Sequence, residues 1–449
     1  MLILAGPRFN LLGEGSLSVT SENPRLLKAN LLDGDPGVPW QAGTLATPQS
    51  IVLDGNLVQN TNGSFETAGA GGEPFAMWKK IETGMGAVTR VSAGGGNPTP
   101  PSGGGTWMCK CTKSNQNDAA AIMVDFYVRS GAYVALPVWG YDMTVVGVIR
   151  VQNLDTGNFL QNVVPLGEVW ASAIDSSYFA GPGGQWIQTG FFSGGGFPGG
   201  FASGPPIHIE PVNQTKRSYT RIRLLIGLPA GVPSTTGWID LFRIFYGMDF
   251  ASLHHHTIPT GTVVTVDSSV AGGIWTTRAE FHQVPLAQPE CYASFAREYF
   301  QFWRFNLAAF LPHGAVAGFL SAPGIGEAVL GQAVEMQGSW RSVDRQWAMA
   351  QTRIGQGDRY RQALQAGEVP RIVLERTDPQ TKSFPEAIEV FRTSLGGVRP
   401  VIVAWDEALA TRVIYGFVDE RFGGKLDIHR AGTPHQIGIT GFAPPLWTP

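Results

Sequence analysis

Five runs in the middle of the chain constrain its fold more than any other feature. AAIMVDFYV at 120–128, GAYVALPVWGY at 131–141, TVVGVIRVQNL at 144–154, RSYTRIRLLIGL at 217–228 and GWIDLFRIFYG at 237–247 either alternate apolar with polar or run apolar. Glycine- and proline-rich sequence divides them. A period of two puts every second side chain on one face of a strand, so these runs predict strands with one buried face. The composition points the same way. With 58 Gly, 31 Pro, 13 Trp and 25 Phe in 449 residues, and only 15% charged, the chain reads as many short strands, tight turns and a large aromatic core. The expected fold class is mainly β and multi-domain, a length of this kind allowing two or three domains.

Several classes of function are disfavoured. A net charge of −3 and a pI near 6.3 give no basic face for nucleic acid. Cys109, Cys111 and Cys291 form neither an even disulfide framework nor a zinc-finger spacing. Cys109 and Cys111, two apart, are expected on the same face of one strand as small core residues. No apolar run approaches the ~20 residues of a membrane helix, and MLILAGPRFN lacks the length and basic flank of a signal peptide. The expectation is a soluble chain made in a reducing cytoplasm, with no membrane insertion.

Three regions separate by composition: 1–50, 51–250 and 251–449. In the first, Asp33-Gly34-Asp35-Pro36-Gly37 is turn chemistry flanked by Leu31, Leu32 and Trp40 as anchors. In the second, the glycine- and proline-rich stretches 92–106 and 193–206 cannot fill a core and are expected as exposed loops. In the third, CYASFAREYFQFWRFNLAAFL at 291–311 fits short strands or one buried helix equally well. SFPEAIEVFRTSLGG at 383–397 predicts a helix: Ser383 as N-cap, Glu386 completing a capping box, Ile388, Phe391 and Leu395 at helical spacing, and Gly396 or Gly397 as terminator. PVIVAWD, TRVIYGFV, KLDIHRA and QIGITGFA then predict four strands.

The ordered set NLVQN…GSFE, PFAMWKK, GAYVALPVWG, VQNLDTGNFL, GGQWIQTGFF and GWIDLFRIF resembles carbohydrate-binding modules of the discoidin/galactose-binding jelly-roll type. The resemblance covers about 190 residues of the middle region and implies a jelly-roll β-sandwich there; Thr61-Asn62 lengthens its opening turn. NLLDGDPGVPW looks like a discoidin-type opening, a pairing familiar at the start of tail proteins of tailed bacteriophages. The helix-then-strands layout after 383 resembles minor-tail and distal-tail-type proteins. Together these resemblances imply a virion structural protein of the tail or tail tip, synthesised in the host cytoplasm. They imply an assembly with other virion subunits as a homo-oligomer, with a jelly roll able to contact host-surface polysaccharide. The rival readings are a stand-alone carbohydrate-binding protein or non-catalytic part of a glycoside hydrolase, and an adhesin-like host-receptor binder.

In the jelly-roll families a structural Ca2+ commonly lies where the opening strand meets the closing one, which the resemblance carries to Glu66 and Asp240. Ca2+ takes six to eight oxygens, so backbone carbonyls must complete such a shell; the alternative is that Asp240 caps a turn or pairs with Arg243. A sugar platform needs an exposed aromatic ring beside polar groups. The candidates are Trp78, Trp107, Trp139, Trp170, Trp186 and Tyr178, with Trp170 and Tyr178 preferred because EVWASAIDSSYFAG reads as a loop. His254-His255-His256 is either a metal-binding cluster, with His254 and His256 sharing a face when extended, or a polar hinge between domains. Asn62-Gly63-Ser64 and Asn213-Gln214-Thr215 match glycosylation sequons, read as chance matches in a chain without a signal peptide. No nucleophile elbow, zinc-protease motif or phosphate loop occurs. Asp406, Glu407, Asp419 and Glu420 fall at predicted hairpin turns as solvated acids, so no enzyme activity is expected.

Overall fold

The computed structural model describes residues 2–5, 10–33, 39–43, 48–55, 63–101, 104–143, 147–163, 167–171, 177–178, 186–191, 207–209, 219–231, 233, 235–256, 258, 263–281, 290–307, 324–336, 340–348, 351–352, 362–363, 367–375, 401–404, 413–418 and 436–441. For 2–5, for 161–191 except Trp186, and beyond 333 except 401–404 and 413–416, the description is of the backbone. The described residues are almost all β. They contain no α-helix, only 3-10 turns at Leu11–Gly13 and Lys28–Leu32, and no helix long and apolar enough to cross a membrane. The helix expected at 383–397 and the strand at 425–431 lie outside the described residues.

The chain divides into two compact units, Asn56–Gly247 and a second built from Met1–Gly55 together with Met248–Pro449. The 1–50 stretch, set apart by composition, is thus woven into the same sheets as the C-terminal part. Leu2–Ala5 pairs with Val401–Ala404, and Gln49–Asp54 with Phe302–Leu307.

In the middle unit every ladder is antiparallel. One sheet runs Gly167–Ala171, Phe159–Val163, Val148–Asn153, Tyr219–Leu228, Ala119–Arg129, Lys79–Thr83; the other runs Trp186–Phe191, Tyr133–Tyr141, Thr235–Asp240, Trp107–Lys113, Ala87–Ser92. The alternation read in the sequence sets which side is buried. In Ala119–Arg129, Ile122, Val124, Phe126 and Val128 are buried while Asp125 and Tyr127 face out. Their cross-strand partners Ile222, Leu224 and Ile226 follow suit. Between the sheets sits an aromatic nucleus. Trp78, buried, packs against Phe65 at 5.4 Å and edge-on against Phe242 at 5.6 Å between ring centroids. Cys109 and Cys111 are buried free thiols with Sγ atoms 3.9 Å apart on one strand face.

The second unit contains three larger sheets. A seven-stranded one includes Leu2–Ala5 and Val401–Ala404; a four-stranded one runs Glu290–Glu298, Met248–His256, Gly324–Gly331, Trp40–Gln41; a five-stranded one runs Ser16–Val19, Gln49–Asp54, Phe302–Leu307, Val264–Ser269, Thr276–Phe281. The aromatic stretch at 291–311 resolves into strands: Glu290–Glu298 and Phe302–Leu307 enter different sheets. A helix would have carried its aromatics on one stripe, whereas here Trp303, Phe305 and Leu307 alternate inward with period two. Phe250, Tyr292 and Val329 of the four-stranded sheet pack on Ile402, Ala404, Val413 and Tyr415 of the seven-stranded one. Leu31 and Trp40, read as anchors of the early turn, are fully buried.

His254, His255 and His256 are not a hinge. They are interior residues of Met248–His256, each no more than 1% exposed. His255 takes a positive φ of 52°, an uncommon backbone for a non-glycine residue. His254 stacks on Tyr415 at 4.4 Å and shares a 2.8 Å hydrogen bond with Ser252. His255 Nε2 lies 3.5 Å from Glu290. His256 Nδ1 accepts the Ile258 amide, and its Nε2 lies 3.9 Å from Cys291 Sγ. Among the described residues no three His, Cys, Asp or Glu side chains converge as a metal site. Burial holds the His254 and His256 imidazoles neutral: His254 is pushed well down and His256 to about 3, and in each the neighbouring His255 adds to the shift.

Candidate functional site

The middle unit carries two features with chemical content, a carboxylate pair and an aromatic row.

The carboxylate pair is Glu66 and Asp240, from the two ends of the unit. Asp240 ends the strand Thr235–Asp240 and is fully buried. Its Oδ1 accepts the adjacent Leu241 amide at 2.7 Å, while Oδ2 has no hydrogen-bond partner. Burial pushes the Asp240 carboxyl up to about 8; the Leu241 amide opposes this, the nearby Glu66 charge adds to it, and Arg243 partly offsets it. Glu66 Oε1 accepts the amides of Thr106 at 2.7 Å and Trp107 at 2.9 Å. Two consecutive glycines form the floor between the acids. A Cβ on Gly104 would collide with Asp240 Oδ2, and one on Gly105 with Glu66 Oε1.

An orphaned, buried carboxylate oxygen beside a second acid, lined by glycines that leave room for it, fits a hard cation such as Ca2+. The chain's residues at hand for it are Asp240 and Glu66. Arg90 limits the shell, since its guanidinium donates to the Phe65 and Glu66 carbonyls and stacks over Trp107 at 3.8 Å. Those two carbonyls are therefore already engaged by a cation of the protein's own.

The aromatic row lies on one face of the second sheet. Trp186, Tyr141 and Trp238 occupy neighbouring register positions on three adjacent strands, followed by Lys110 and Thr89 on the next two. Tyr141 meets both indoles edge-on, 5.6 Å from each. Lys110 Nζ lies 5.5 Å from the Trp238 ring. Trp186 and Tyr141 are half-buried and Thr89 is exposed, while Trp238, deeper, is 7% exposed. The stretch 92–106, read from sequence as loop, does more than connect. Asn97 Oδ1 accepts the Trp238 indole N–H at 3.3 Å, and the Thr99 carbonyl accepts that of Trp186. Gly94, Gly95 and Gly96 all take positive φ, which lets this segment turn tightly enough to reach the rings.

Of the sugar candidates read from sequence, Trp186 is in this row and Trp139 is half-buried opposite Asp240. Trp78 is core, and Trp107 lies under Arg90. Trp170 pairs with Leu160 and Tyr178 with Val148 in the other sheet; their side chains lie outside the described residues, as do Asn62, Asn213, Asp406, Glu407, Asp419 and Glu420. Tyr141 and Trp238 were missed. The period of two in GAYVALPVWGY already puts Tyr133, Trp139 and Tyr141 on one face; the register that brings Trp238 and Trp186 alongside is not local to any run.

No family model matches the sequence, and no curated protein matches it. Among solved structures, the chain is similar to the enzymatically active domain of bacteriophage CBA120 tailspike protein 4, at 14% identity and a TM-score of 0.27, over 43% of this chain and 21% of that one. It is similar to TmCBM61 in complex with beta-1,4-galactotriose, at 14% identity and a TM-score of 0.23, over 41% of this chain and 95% of that one. It is also similar to the family 11 carbohydrate-binding module of Lic26A-Cel5E of Clostridium thermocellum, at 7% identity and a TM-score of 0.21, over 40% of this chain and 93% of that one. The chain thus spans about a fifth of the tailspike structure and nearly all of each binding module.

Proposed function

We propose that the middle unit, 56–247, is a glycan-binding β-sandwich that reads sugar on the half-buried Trp186 and Tyr141 of the aromatic row, with Trp238 buried beside them as their support. The observation that carries this is the row itself: three rings in register on adjacent strands, with both indole N–H groups tied by Asn97 and Thr99. Sugars present flat C–H faces that stack on such rings, while hydroxyls need polar groups at the rim. Lys110 and Thr89 supply those. A ring held by its own N–H loses less freedom when a ligand arrives, which favours binding. The Glu66–Asp240 pair, loaded with Ca2+, serves as a structural clamp between the opening loop and the closing strand, with no part in chemistry. The proposal assigns binding and no catalytic step.

The finer reading, a subunit of a phage tail or tail tip that holds this sandwich towards host glycans, is supported by the sequence resemblance of the 1–50 and C-terminal regions. In it the second unit assembles with other virion subunits, and repetition of the sandwich in a ring adds avidity to weak contacts.

The test is a glycan array probed with the full chain, as wild type and as Trp186→Ala and Tyr141→Ala, with melting curves as a folding control. Binding to a neutral glycan that drops at least tenfold in both folded variants is the expected result. An array silent for a folded wild type, or binding indifferent to both substitutions, refutes the aromatic row as the site.

A further inference from the structure

The opposite outer face of the sandwich is of a different character. On the three central strands of the first sheet, Ala119–Arg129, Tyr219–Leu228 and Val148–Asn153, the side chains that alternate away from the core include Arg129, Arg221, Arg223 and Arg150. The acid among them is Asp125. Asp155, in the turn beyond, accepts the Arg221 amide and adds a second acid at the rim. Four arginines against two acids leave this face net basic in a chain whose net charge is −3.

The patch is also organised. Asp125 receives Arg221 at 2.8 Å and Arg223 through two nitrogens at 2.8 and 3.0 Å, which fixes both guanidiniums beside it. Next to them two cross-strand pairs alternate, Tyr127 opposite Arg221 and Arg129 opposite Tyr219. The Arg129 guanidinium lies 4.5 Å from the Tyr219 ring centroid. Tyr127 is 66% and Tyr219 37% exposed. Rings and guanidiniums therefore form a checkerboard on an open sheet.

We propose that this face is a second binding surface, separate from the aromatic row, for an anionic polysaccharide carrying uronate carboxylates. The Arg221 and Arg223 N–H groups that Asp125 does not take can donate to a ligand's carboxylates, and the tyrosines beside them stack on the intervening sugar rings. A nucleic acid fits less well. A duplex carries a charge about every 1.7 Å of its axis and hides its base faces in the stack, leaving the tyrosines nothing to stack on, whereas a polyuronate spaces one charge per sugar or per disaccharide and exposes its ring faces.

The experiment uses the full chain and affinity electrophoresis in the sodium salts of polygalacturonate and hyaluronan, each beside its carboxyl-reduced form. Retention by either polyuronate, at least tenfold weaker on the reduced polymer and falling with salt, is expected. Tyr127→Ala and Arg221→Gln, each checked for an unchanged melting curve, should each weaken it several-fold, and the pair by tenfold or more. Silence on both polyuronates, equal retention on the reduced forms, tighter binding to single-stranded DNA, or indifference to the paired substitution overturns the inference. Because neutral-glycan binding is assayed separately, the two sites fail separately: polyuronate binding without any neutral ligand sustains this face and sinks the aromatic row, and the reverse does the opposite.

Discussion

The two units bury titratable groups of opposite kind. The middle unit hides an acid, Asp240, whose Oδ2 lacks a partner. The second unit hides imidazoles in one strand, and His254 Nδ1 likewise lacks one. Burial disfavours the charged form in both cases, which drives the carboxyl up and the imidazoles down. The consequences for stability run in opposite directions. Asp240 holds its proton in the folded chain at pH values where the unfolded chain has released it, so its contribution is full below about 3.8 and is lost as pH rises through about 8. His256 stays neutral in the folded chain where the unfolded chain is protonated, so its contribution is full above 6.5 and is lost as pH falls towards about 3. Two β-rich units of one chain are thus weakened at opposite ends of the pH scale. Only the acid has a remedy in view, a cation.

The largest expected effect tests whether the units are separate at all. Trp78→Ala opens a cavity among Phe65 and Phe242 and should lower the stability of the middle unit by ~3–5 kcal/mol; Trp303→Ala should do the same to the second unit. Scanning calorimetry should show each substitution moving one transition. Both transitions moving together with either substitution would break the comparison.

Acid comes next. Lowering pH from 6.5 towards 3 should cost the second unit on the order of a few kcal/mol, one unit of pKa shift being about 1.4 kcal/mol. Urea melts across that range should show the acid limb, and His254→Asn with His256→Asn should flatten it. An unaltered limb would place the titration elsewhere.

Calcium sharpens the opposite side. Ca2+ at about 100 times its Kd at neutral pH should add about 2.7 kcal/mol to the middle unit, and that same concentration should add more at pH 8.5 than at pH 6, because the ion competes with the proton on Asp240. Asp240→Asn should abolish the response. Melting indifferent to Ca2+ and chelator at both pH values would leave the pair as a plain buried acid.

The smallest effect belongs to the open face. Arg223 and Arg221 hold the Asp125 carboxyl below its usual range, yet the group is a quarter exposed, so solvent screens the pair. Asp125→Asn should change stability by less than about 1 kcal/mol at neutral pH, with the difference vanishing in acid. A loss of several kcal/mol in chemical denaturation would mean the bridge is structural.

Much of the architecture was legible because alternation is a local property. Each run from Ala119–Arg129 to Thr235–Asp240 carries its own inside and outside, and the structure places strands on all five. The 291–311 stretch was ambiguous because dense aromatics blur a period of two, and pairing with Met248–His256 and Gln49–Asp54 resolved it. Resemblance alone points to the carboxylate pair; that Gly104 abuts Asp240 and Gly105 abuts Glu66, and that one Asp240 oxygen is left without a donor, is visible only in the structure. The EVWASAIDSSYFAG segment reads as loop because it mixes small and polar residues around Trp170 and Tyr178, whereas both sit on strands.

Local alternation suffices for the β class, the strand positions and the buried face of most strands, since those depend on neighbours two residues away. Long-range pairing is what makes three consecutive histidines interior and stands Trp186, Tyr141 and Trp238 side by side. It alone gathered four arginines on one open face. The reason is physical: a polar or aromatic residue is buried or exposed according to the partner it meets on a neighbouring strand or a facing sheet. For His254 that partner is Tyr415, far along the chain, and no local pattern records it.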